Sequence, residues 1–370
     1  MSVQTYKITV TQFKEFVEHL VNNEWQVIGP RERDQAIFFE TMKGIDDLPQ
    51  GRGDTQSKGS YRLIDRDDQR FFGFNLGSDS LKRWFFPKSR KLFSITKNGE
   101  AQAPKYEFGR RAFIGIRGCD LAAIAIQDKV FTASGYSDPE YAARRNDTLL
   151  ISVNCSVSAE TCFCTSQNTG PRVLDGYDLC LTEFSEPNHG FIVETGSAAG
   201  DQLATFLQWQ EFESVSAEKT IGFETQKAID GISRRLPANI KDTLATNLKS
   251  ANWQELSSAC LSCANCTLVC PTCFCQSVED RPDMDMNVSE RWAEWDSCFN
   301  ADHSYIHGGT VRQTTADRYR QWMVHKLSTW HDQFGSSGCT GCGRCIAWCP
   351  VGIDITELAQ KIATSEEESV

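Results

Sequence analysis

The sequence predicts an α+β protein of two parts, an N-terminal α/β domain over residues 1–225 and an all-helical C-terminal domain over residues 226–370. A strand–helix–strand pattern between residues 112 and 153 predicts that the N-terminal sheet is partly parallel, because parallel neighbours need a crossover connection. After about residue 225 the apolar residues recur at helical spacing, and no clear strand pattern follows. Ten cysteines lie in two dense clusters within this second part.

The first elements are predicted from short periodic segments. Thr11 is expected to cap a helix, because the apolar residues that follow it fall at helical spacing: Phe13, Phe16, Val17, Leu20 and Val21. Segment 44–60, rich in Gly, Asp and Pro, is expected to be a long loop. Short β-like runs lie around this loop at residues 25–28, 36–39, 61–64 and 71–74.

The strand–helix–strand unit is the most informative N-terminal segment. Residues 112–116 read as a buried strand, and Asp120 is expected to cap a helix that runs to Val130. Residues 148–153 then form a second buried strand. Ligand sites in parallel sheets lie beyond the carboxyl ends of the strands, which is where Cys119 and Cys155 fall.

Composition restricts the class of protein. The chain has 370 residues and a net charge of −11, which argues against nucleic acid as the main partner. No apolar run approaches the roughly 18 residues of a membrane span, and the N-terminal segment shows no secretory signal. The 16 cysteines are therefore expected in a reducing, cytoplasmic compartment, where metal ligation is favoured over disulfides.

Two segments share the spacing C-x2-C-x2-C-x3-C-P: residues 260–271 (CLSCANCTLVCP), the first run, and residues 339–350 (CTGCGRCIAWCP), the second run. This spacing binds [4Fe-4S] clusters in bacterial ferredoxins, where the fourth cysteine of each run ligates the other cluster. The rule predicts one cluster on a first group of cysteines: Cys260, Cys263, Cys266 and Cys349. It predicts another on a second group: Cys339, Cys342, Cys345 and Cys270.

Zinc ribbons are the alternative for these runs, but zinc sites use paired C-x2-C knuckles rather than four-cysteine runs closed by proline. The runs are separated by residues 271–338, far more than a compact ferredoxin needs. Helical-looking stretches at 291–295 and 316–330 in this insert favour an all-helical two-cluster ferredoxin domain over a small β-hairpin fold.

Three further cysteines and two histidines lie near the runs but are not expected to be cluster ligands. Cys273, Cys275 and Cys298 are expected to pack against the clusters or tune them, because each predicted cluster already has four ligands. His303 and His307 are not expected to be ligands, since a histidine of this kind is by default a surface or core residue.

A third group of cysteines, Cys119, Cys155, Cys162 and Cys164, is predicted to hold a third [4Fe-4S] cluster. The two parallel strands deliver Cys119 and Cys155 to one edge of the sheet, and the following loop supplies Cys162 and Cys164. The dipole of the helix beginning near Asp120 is expected to favour the thiolate of Cys119. Four ordinary buried cysteines are the alternative, because this spacing matches no standard run.

The sequence lacks the fingerprints of nucleotide and nickel–iron sites. Neither G-x-G-x-x-G nor G-x-x-x-x-G-K-S/T occurs, and no C-x2-C pair stands outside the cluster runs. We therefore expect no catalytic residues and a chain that moves electrons without performing the chemistry at either end. An iron–sulfur regulator is disfavoured, because no DNA-binding element with a basic face is evident.

Six segments carry a resemblance to a known family: GSYRLID (59–65), SLKRWFFP (80–87), RGCDLAAIAIQDKVF (117–131), CLSCANCTLVCPTCFC (260–275), WDSC (295–298) and CGRCIAWCPVGIDI (342–355). Together they resemble the iron–sulfur β subunit of cytoplasmic NAD(P)-linked [NiFe] hydrogenases of the sulfhydrogenase type. A related iron–sulfur subunit of anaerobic sulfite reductase is similar too.

The resemblance implies an iron–sulfur subunit that lies between a flavin subunit handling NAD(P)H and the catalytic [NiFe] hydrogenase subunits. The alternative is the equivalent relay that feeds a sulfite reductase subunit, and the sequence separates these two poorly. Cys180 receives no role from the comparison.

Overall fold

A computed structural model of the chain describes residues 3–133, 135–285 and 287–367. Its strands are β1 Thr5–Thr9, β2 Gln26–Arg33, β3 Ala36–Thr41, β4 Arg52–Ser57, β5 Ser60–Asp65, β6 Ser89–Thr96, β7 Ala101–Gln102, β8 Arg111–Ile116, β9 Thr148–Val153, β10 Leu179–Phe184, β11 Gly190–Thr195, β12 Gln276–Pro282, β13 Val288–Trp295, β14 Tyr305–Ile306 and β15 Gly309–Thr310. Its helices are α1 Val10–Asn22, α2 Lys82–Phe85, α3 Gly118–Phe131, α4 Pro139–Arg145, α5 Ala198–Phe206, α6 Ser214–Asp230, α7 Ile240–Thr246, α8 Asn252–Ala259, α9 Asn265–Leu268, α10 Thr315–Val324, α11 Trp330–Phe334, α12 Arg344–Ala347 and α13 Ile355–Glu367.

A seven-stranded sheet in the order β1-β11-β10-β9-β8-β2-β3 organises the first half of the chain. Its four central strands, β10, β9, β8 and β2, run parallel, and antiparallel strands complete both edges. Every residue of β8 is buried, as expected for a strand covered on both faces. The partly parallel sheet predicted from the sequence is therefore confirmed.

The helix starts differ from the sequence prediction at two positions. α1 begins after Thr9 rather than Thr11, because the Thr9 hydroxyl accepts from the Gln12 N–H while the Gln12 side chain accepts from the Thr9 N–H. Asp120 is not a cap: Arg117 occupies the N-cap of α3 and makes no side-chain cap hydrogen bond. Asp120 lies in the first turn instead, where a partner distant in sequence holds its carboxylate.

The prediction of an all-helical C-terminal domain is wrong. Residues 291–295, expected to be helical, belong to β13, which pairs with β12 on one side and with β6 of the first half on the other. The four-stranded antiparallel sheet β12-β13-β6-β7 therefore joins both halves of the chain. The pairing partner β6 is far away in sequence, so local periodicity carries no sign of it. The helical stretch at 316–330 is confirmed by α10, a π-helical segment His325–Thr329 and α11.

The buried apolar residues of the described chain include two large hydrophobic clusters. The larger packs α1, α3 and an aromatic segment around Phe71 against the main sheet. The smaller joins α7, α10 and α13, and it includes Phe163 from the first half. Residue 225 falls within α6, which packs on β1, β10 and β11. The domain division at that residue stays a prediction. Within the described residues, no helix combines the length and apolar character that a membrane span needs.

Candidate iron–sulfur sites

The first and second runs have the same local backbone. Ser262 and Ala264 adopt positive φ angles of 52° and 66°, and the matching positions of the second run, Gly341 and Gly343, adopt 64° and 73°. A single helical turn follows in each run, α9 in the first and α12 in the second. Each loop thus turns sharply at two equivalent positions, although only the second run has glycine there.

This turn directs backbone N–H groups at the cysteine sulfurs. The N–H of Ser262 points at Cys260 Sγ at 3.5 Å, and the N–H of Gly341 points at Cys339 Sγ at 3.4 Å. Hydrogen bonds of this kind stabilise negative charge on a thiolate. The two loops are therefore built to hold anionic sulfur.

The structure brings the first group of cysteines around one cavity. The four thiols of this group line it together with Cys345 of the second group. Phe299, Tyr319 and Trp322 close the cavity with buried aromatic rings. Cys263 is the exposed member of the group. Cys349 therefore shares a cavity with the first three cysteines of the first run, and Cys345 of its own run borders the same cavity.

The second group also gathers across the two runs. The thiol of Cys270 lies within electrostatic range of Cys339, Cys342 and Cys345. Cys345 also lies within range of Cys266, so the first and second groups adjoin. Because Cys270 also lies within range of Cys266 of its own run, the exchange of the fourth cysteine stays a prediction.

The third group assembles at the carboxyl edge of the main sheet. Cys119 lies in the first turn of α3 after β8, and Cys155 follows β9. The thiol of Cys162 lies within range of Cys164 and Cys155, and the thiol of Cys164 is also a neighbour of Cys119. Cys342 of the second group neighbours three of these thiols, so the second and third groups adjoin as well.

The loop of the third group is bound directly to the second run. The N–H of Phe163 donates to the Gly341 carbonyl at 2.8 Å, and the Thr169 hydroxyl donates to the Thr340 carbonyl at 2.6 Å. A Cβ atom on Gly341 would approach the Phe163 carbonyl oxygen to 2.6 Å. Glycine at this position thus permits the backbones to meet.

A buried ion pair forms a second link between these groups. The Arg344 guanidinium in α12 binds the Asp120 carboxylate in α3, with Nη1 at 3.0 Å from Oδ1 and Nη2 donating to Oδ2 at 3.1 Å. Both side chains are at most 5% exposed. The second and third groups are consequently fixed to one another by charge as well as by backbone contacts.

Comparison with known proteins agrees with this geometry. A family profile described as a 4Fe-4S dicluster domain matches residues 259–353, which contain both runs. The chain is similar to sulfhydrogenase 2 subunit beta of Pyrococcus furiosus, with 30% identity over 336 residues, 88% of this chain and 95% of that protein. The chain belongs to the sulfhydrogenase β-subunit family. This membership confirms the resemblance found in the six sequence segments.

The cysteines of this sulfhydrogenase-family chain fit [4Fe-4S] clusters in their chemistry. Burial raises the pKa of Cys164 and of Cys339 to about 12, so these thiols stay protonated unless iron replaces the proton. Burial likewise raises the pKa of Cys119, and the Asp120 carboxylate adds to the effect. The helix dipole expected to favour the Cys119 thiolate is therefore outweighed in the iron-free chain.

The arrangement differs from a site for one metal ion. Among residues 3–133, 135–285 and 287–367, no three His, Cys, Asp or Glu side chains converge on a single metal position. A [4Fe-4S] cluster does not need such convergence, because each of its four thiolates binds a different iron atom.

Sequence reasoning missed a hydrogen-bonded set of side chains beside the clusters of this sulfhydrogenase-family chain. The Cys275 thiolate accepts from the Cys298 thiol and from the His303 imidazole. His303 Nδ1 lies 2.7 Å from Asp296 Oδ2. The hydrogen bond to Cys275 raises the pKa of His303 to about 9. The segment WDSC contains two members of this set, but nothing in it indicated that His303 would join them.

Proposed function

We propose that the chain is the electron-transfer subunit of an NAD(P)-linked [NiFe] hydrogenase complex. In this proposal it lies between a flavin subunit that handles NAD(P)H and the catalytic [NiFe] subunits, in the cytoplasm. Family membership supports the hydrogenase assignment. The observation that carries the proposal is that the three cysteine groups are neighbours. Cys266 of the first group neighbours Cys345 of the second, and Cys342 of the second neighbours Cys162 of the third.

Three [4Fe-4S] clusters are proposed, one on each group. The first would be held by Cys260, Cys263, Cys266 and Cys349. The second would be held by Cys339, Cys342, Cys345 and Cys270. The third would be held by Cys119, Cys155, Cys162 and Cys164. A bound [4Fe-4S] cluster accepts and releases single electrons at a potential set by its charge, hydrogen bonds and exposure.

The protein's own residues support this role by position. Phe299, Tyr319 and Trp322 shield one side of the first group from water, and backbone N–H groups of both runs face the cysteine sulfurs. The Arg344–Asp120 pair keeps the second and third groups together. Electron transfer between neighbouring sites is favoured when the protein holds them at a fixed separation, since little movement of the protein is then needed.

Anaerobic purification of the chain, alone and with its partners, tests the proposal. The chain alone should contain about twelve irons, corresponding to three clusters. It should show reversible reduction in an EPR-monitored redox titration and should neither oxidise NAD(P)H nor evolve hydrogen. Both activities should return when the flavin and [NiFe] subunits are added. Flavin bound stoichiometrically to the isolated chain, or co-purification with a siroheme subunit instead of a nickel–iron subunit, would contradict it.

A further inference from the structure

A buried lysine contacts the loops of both runs beside the second group. Lys326 lies in the π-helical segment His325–Thr329, a type of turn that often occurs at functional sites. Its Nζ donates to the Thr272 hydroxyl at 2.6 Å and to the Gly338 carbonyl at 3.1 Å. The Lys326 carbonyl accepts from the Gly338 N–H at 2.8 Å. Lys326 thus holds the residue that precedes Cys339.

The hydroxyl that Lys326 binds also touches a predicted cluster ligand. Thr272 Oγ1 lies 3.2 Å from Cys270 Sγ, the cysteine that joins the second group from the first run. The ammonium of Lys326 is therefore one hydroxyl away from this sulfur.

A second buried lysine approaches the same sulfur-rich loop from the other half of the chain. Lys82 Nζ in α2 donates to the Cys270 carbonyl at 3.4 Å and lies 3.8 Å from the ring centre of Trp295. Lys82 and Lys326 are each 5% exposed.

Neither buried lysine has a carboxylate partner within the part of the chain that the structure describes. The lysines that form ion pairs there are Lys58, Lys91, Lys227, Lys241 and Lys361. An isolated buried charge is strongly unfavourable, so a buried ammonium calls for an anion beside it. The groups near Lys326 that would carry negative charge when they bind iron or lose a proton are the sulfurs of Cys270, Cys273 and Cys339.

The cations beside the third group are placed differently. Arg344 lies between the second and third groups, but Asp120 neutralises its charge. Arg117 is buried beside Cys155 of the third group and donates to the Phe72 and Phe74 carbonyls. Lys326 and Lys82 lie beside the second group, without a carboxylate partner among the described residues.

We propose that Lys326, assisted by Lys82, is the counter-charge of the second group and raises the reduction potential of the cluster held there. The inference rests on the proposed function. A cluster held by four thiolates is negatively charged, and reduction adds a further negative charge. A buried cation stabilises the reduced state more than the oxidised state, because attraction is strong where water is excluded.

EPR-monitored redox titration of the full chain tests this inference. The variants are Lys326→Met, which removes charge and hydrogen bonds, Lys326→Gln, which keeps a donor without charge, and Lys326→Arg, which keeps the charge. Lys82→Met removes the second buried amino group, and Lys227→Met, at an ion pair on α6, is the control. The signal of the second group is identified as the one altered in Cys339→Ser.

With iron content retained, the second-group midpoint should move to more negative potential in Lys326→Met and Lys326→Gln. It should move in the same direction in Lys82→Met, and it should stay near the wild-type value in Lys326→Arg and Lys227→Met. An unchanged midpoint in both neutral Lys326 variants, or an equal shift in Lys227→Met, overturns the inference while leaving the proposed function intact.

If the neutral Lys326 variants lose iron, their midpoints cannot be compared and Lys82→Met becomes the deciding variant. Its Nζ contacts only the Cys270 carbonyl among the loop oxygens named above, so the Gly338 contacts of Lys326 persist. A negative shift in Lys82→Met then supports the counter-charge, and an unchanged midpoint refutes it. A wild-type chain without any reversibly reducible cluster would overturn both the inference and the proposed function.

Discussion

Gly343 lies directly against Thr161, so that a Cβ atom on this glycine would overlap the Thr161 carbonyl oxygen. The contact joins the second run to the loop that carries Cys162 and Cys164. At the equivalent position of the first run, Ala264 adopts a similar backbone conformation with a φ of 66°. The same loop geometry therefore accepts a side chain in one run and excludes it in the other, because only the second run is covered by the third-group loop.

Gly343→Ala should consequently displace the loop of the third group. Besides the overlap, a side chain at a φ of 73° costs about 1–2 kcal/mol. We expect a lower midpoint of urea unfolding and loss of iron from the third group. Ala264→Gly is the matched control and should keep its iron. Equal iron contents and equal unfolding midpoints in the two variants would show that the close contact does not matter.

If the two runs exchange their fourth cysteines, replacing one of these cysteines should alter the cluster of the other run. Cys349→Ser should alter the EPR signal of the cluster held by Cys260, Cys263 and Cys266, because Cys349 lies in that cavity. Cys270→Ser should alter the other C-terminal signal. If Cys349→Ser instead changed the cluster of Cys339, Cys342 and Cys345, each run would hold its own cluster and the exchanged grouping would be wrong.

Iron analysis should show whether the third group holds a cluster. The double variant Cys162→Ser/Cys164→Ser should fall from about twelve irons per chain to about eight. Cys180→Ser is the control, because Cys180 is a buried residue of β10 outside the three groups. Unchanged iron and unchanged EPR in the double variant would mean that these are ordinary buried cysteines.

Asp120→Asn should destabilise the fold. The substitution leaves the Arg344 guanidinium buried without its carboxylate, and breaking a buried pair in this way costs about 3–5 kcal/mol. We expect a lower midpoint of urea unfolding under anaerobic conditions. The double variant Asp120→Asn/Arg344→Met should lose less free energy of unfolding than the two single variants lose in sum, because the residues interact directly. Additive losses would indicate that the ion pair contributes little.

Cys275 should react as a thiolate at neutral pH. Hydrogen bonds from Cys298, the larger contribution, and from His303 together lower the pKa of Cys275 to about 4, against the effect of burial. Since the thiolate persists above that pKa and the His303 pKa is raised to about 9, the ion pair should exist between about pH 4 and pH 9. Alkylation of Cys275 by iodoacetamide, measured by peptide mass spectrometry, should therefore vary little from pH 5 to pH 8.

His303→Gln provides the comparison for this pH profile. Loss of the imidazolium should raise the Cys275 pKa and slow alkylation at pH 6 more than at pH 8. Cys180 is the internal reference, because burial raises its pKa and it should stay unlabelled. A wild-type rate that climbs steeply through pH 8 would show that Cys275 is an ordinary thiol.

Local patterns predicted the strand–helix–strand unit, but they missed the hairpin of β4 and β5, because β4 lies in the segment 44–60 that was expected to be a loop. The apolar runs that became β8 and β9, with the intervening helix, indicated a parallel pair and placed Cys119 and Cys155 at one edge. The spacing of the two runs indicated a 4Fe-4S dicluster domain, which the family profile confirms, whereas the division of the cysteines into groups stays a prediction.

Elements with distant partners escaped prediction. The sequence of β13 has a helical pattern, but the segment forms a strand because β6, from the first half of the chain, supplies its hydrogen-bond partners. In the sequence Asp120 resembles a helix cap, because its actual partner, Arg344, is 224 residues away and leaves no local sign. Lys326 cannot be told from a surface lysine by sequence, since its burial depends on how two separate loops close around it.

The placement of Cys349 in the first cavity has a consequence for the order of synthesis. Domains generally fold as they emerge, the N-terminal part first. The third group is complete once residue 164 has been translated, whereas the first group waits for Cys349 near the end of the 370-residue chain. On the proposed ligand sets, a nascent chain that stops before Cys339 exposes incomplete sets of thiols. Iron–sulfur loading of both runs must then wait until Cys349 has been translated.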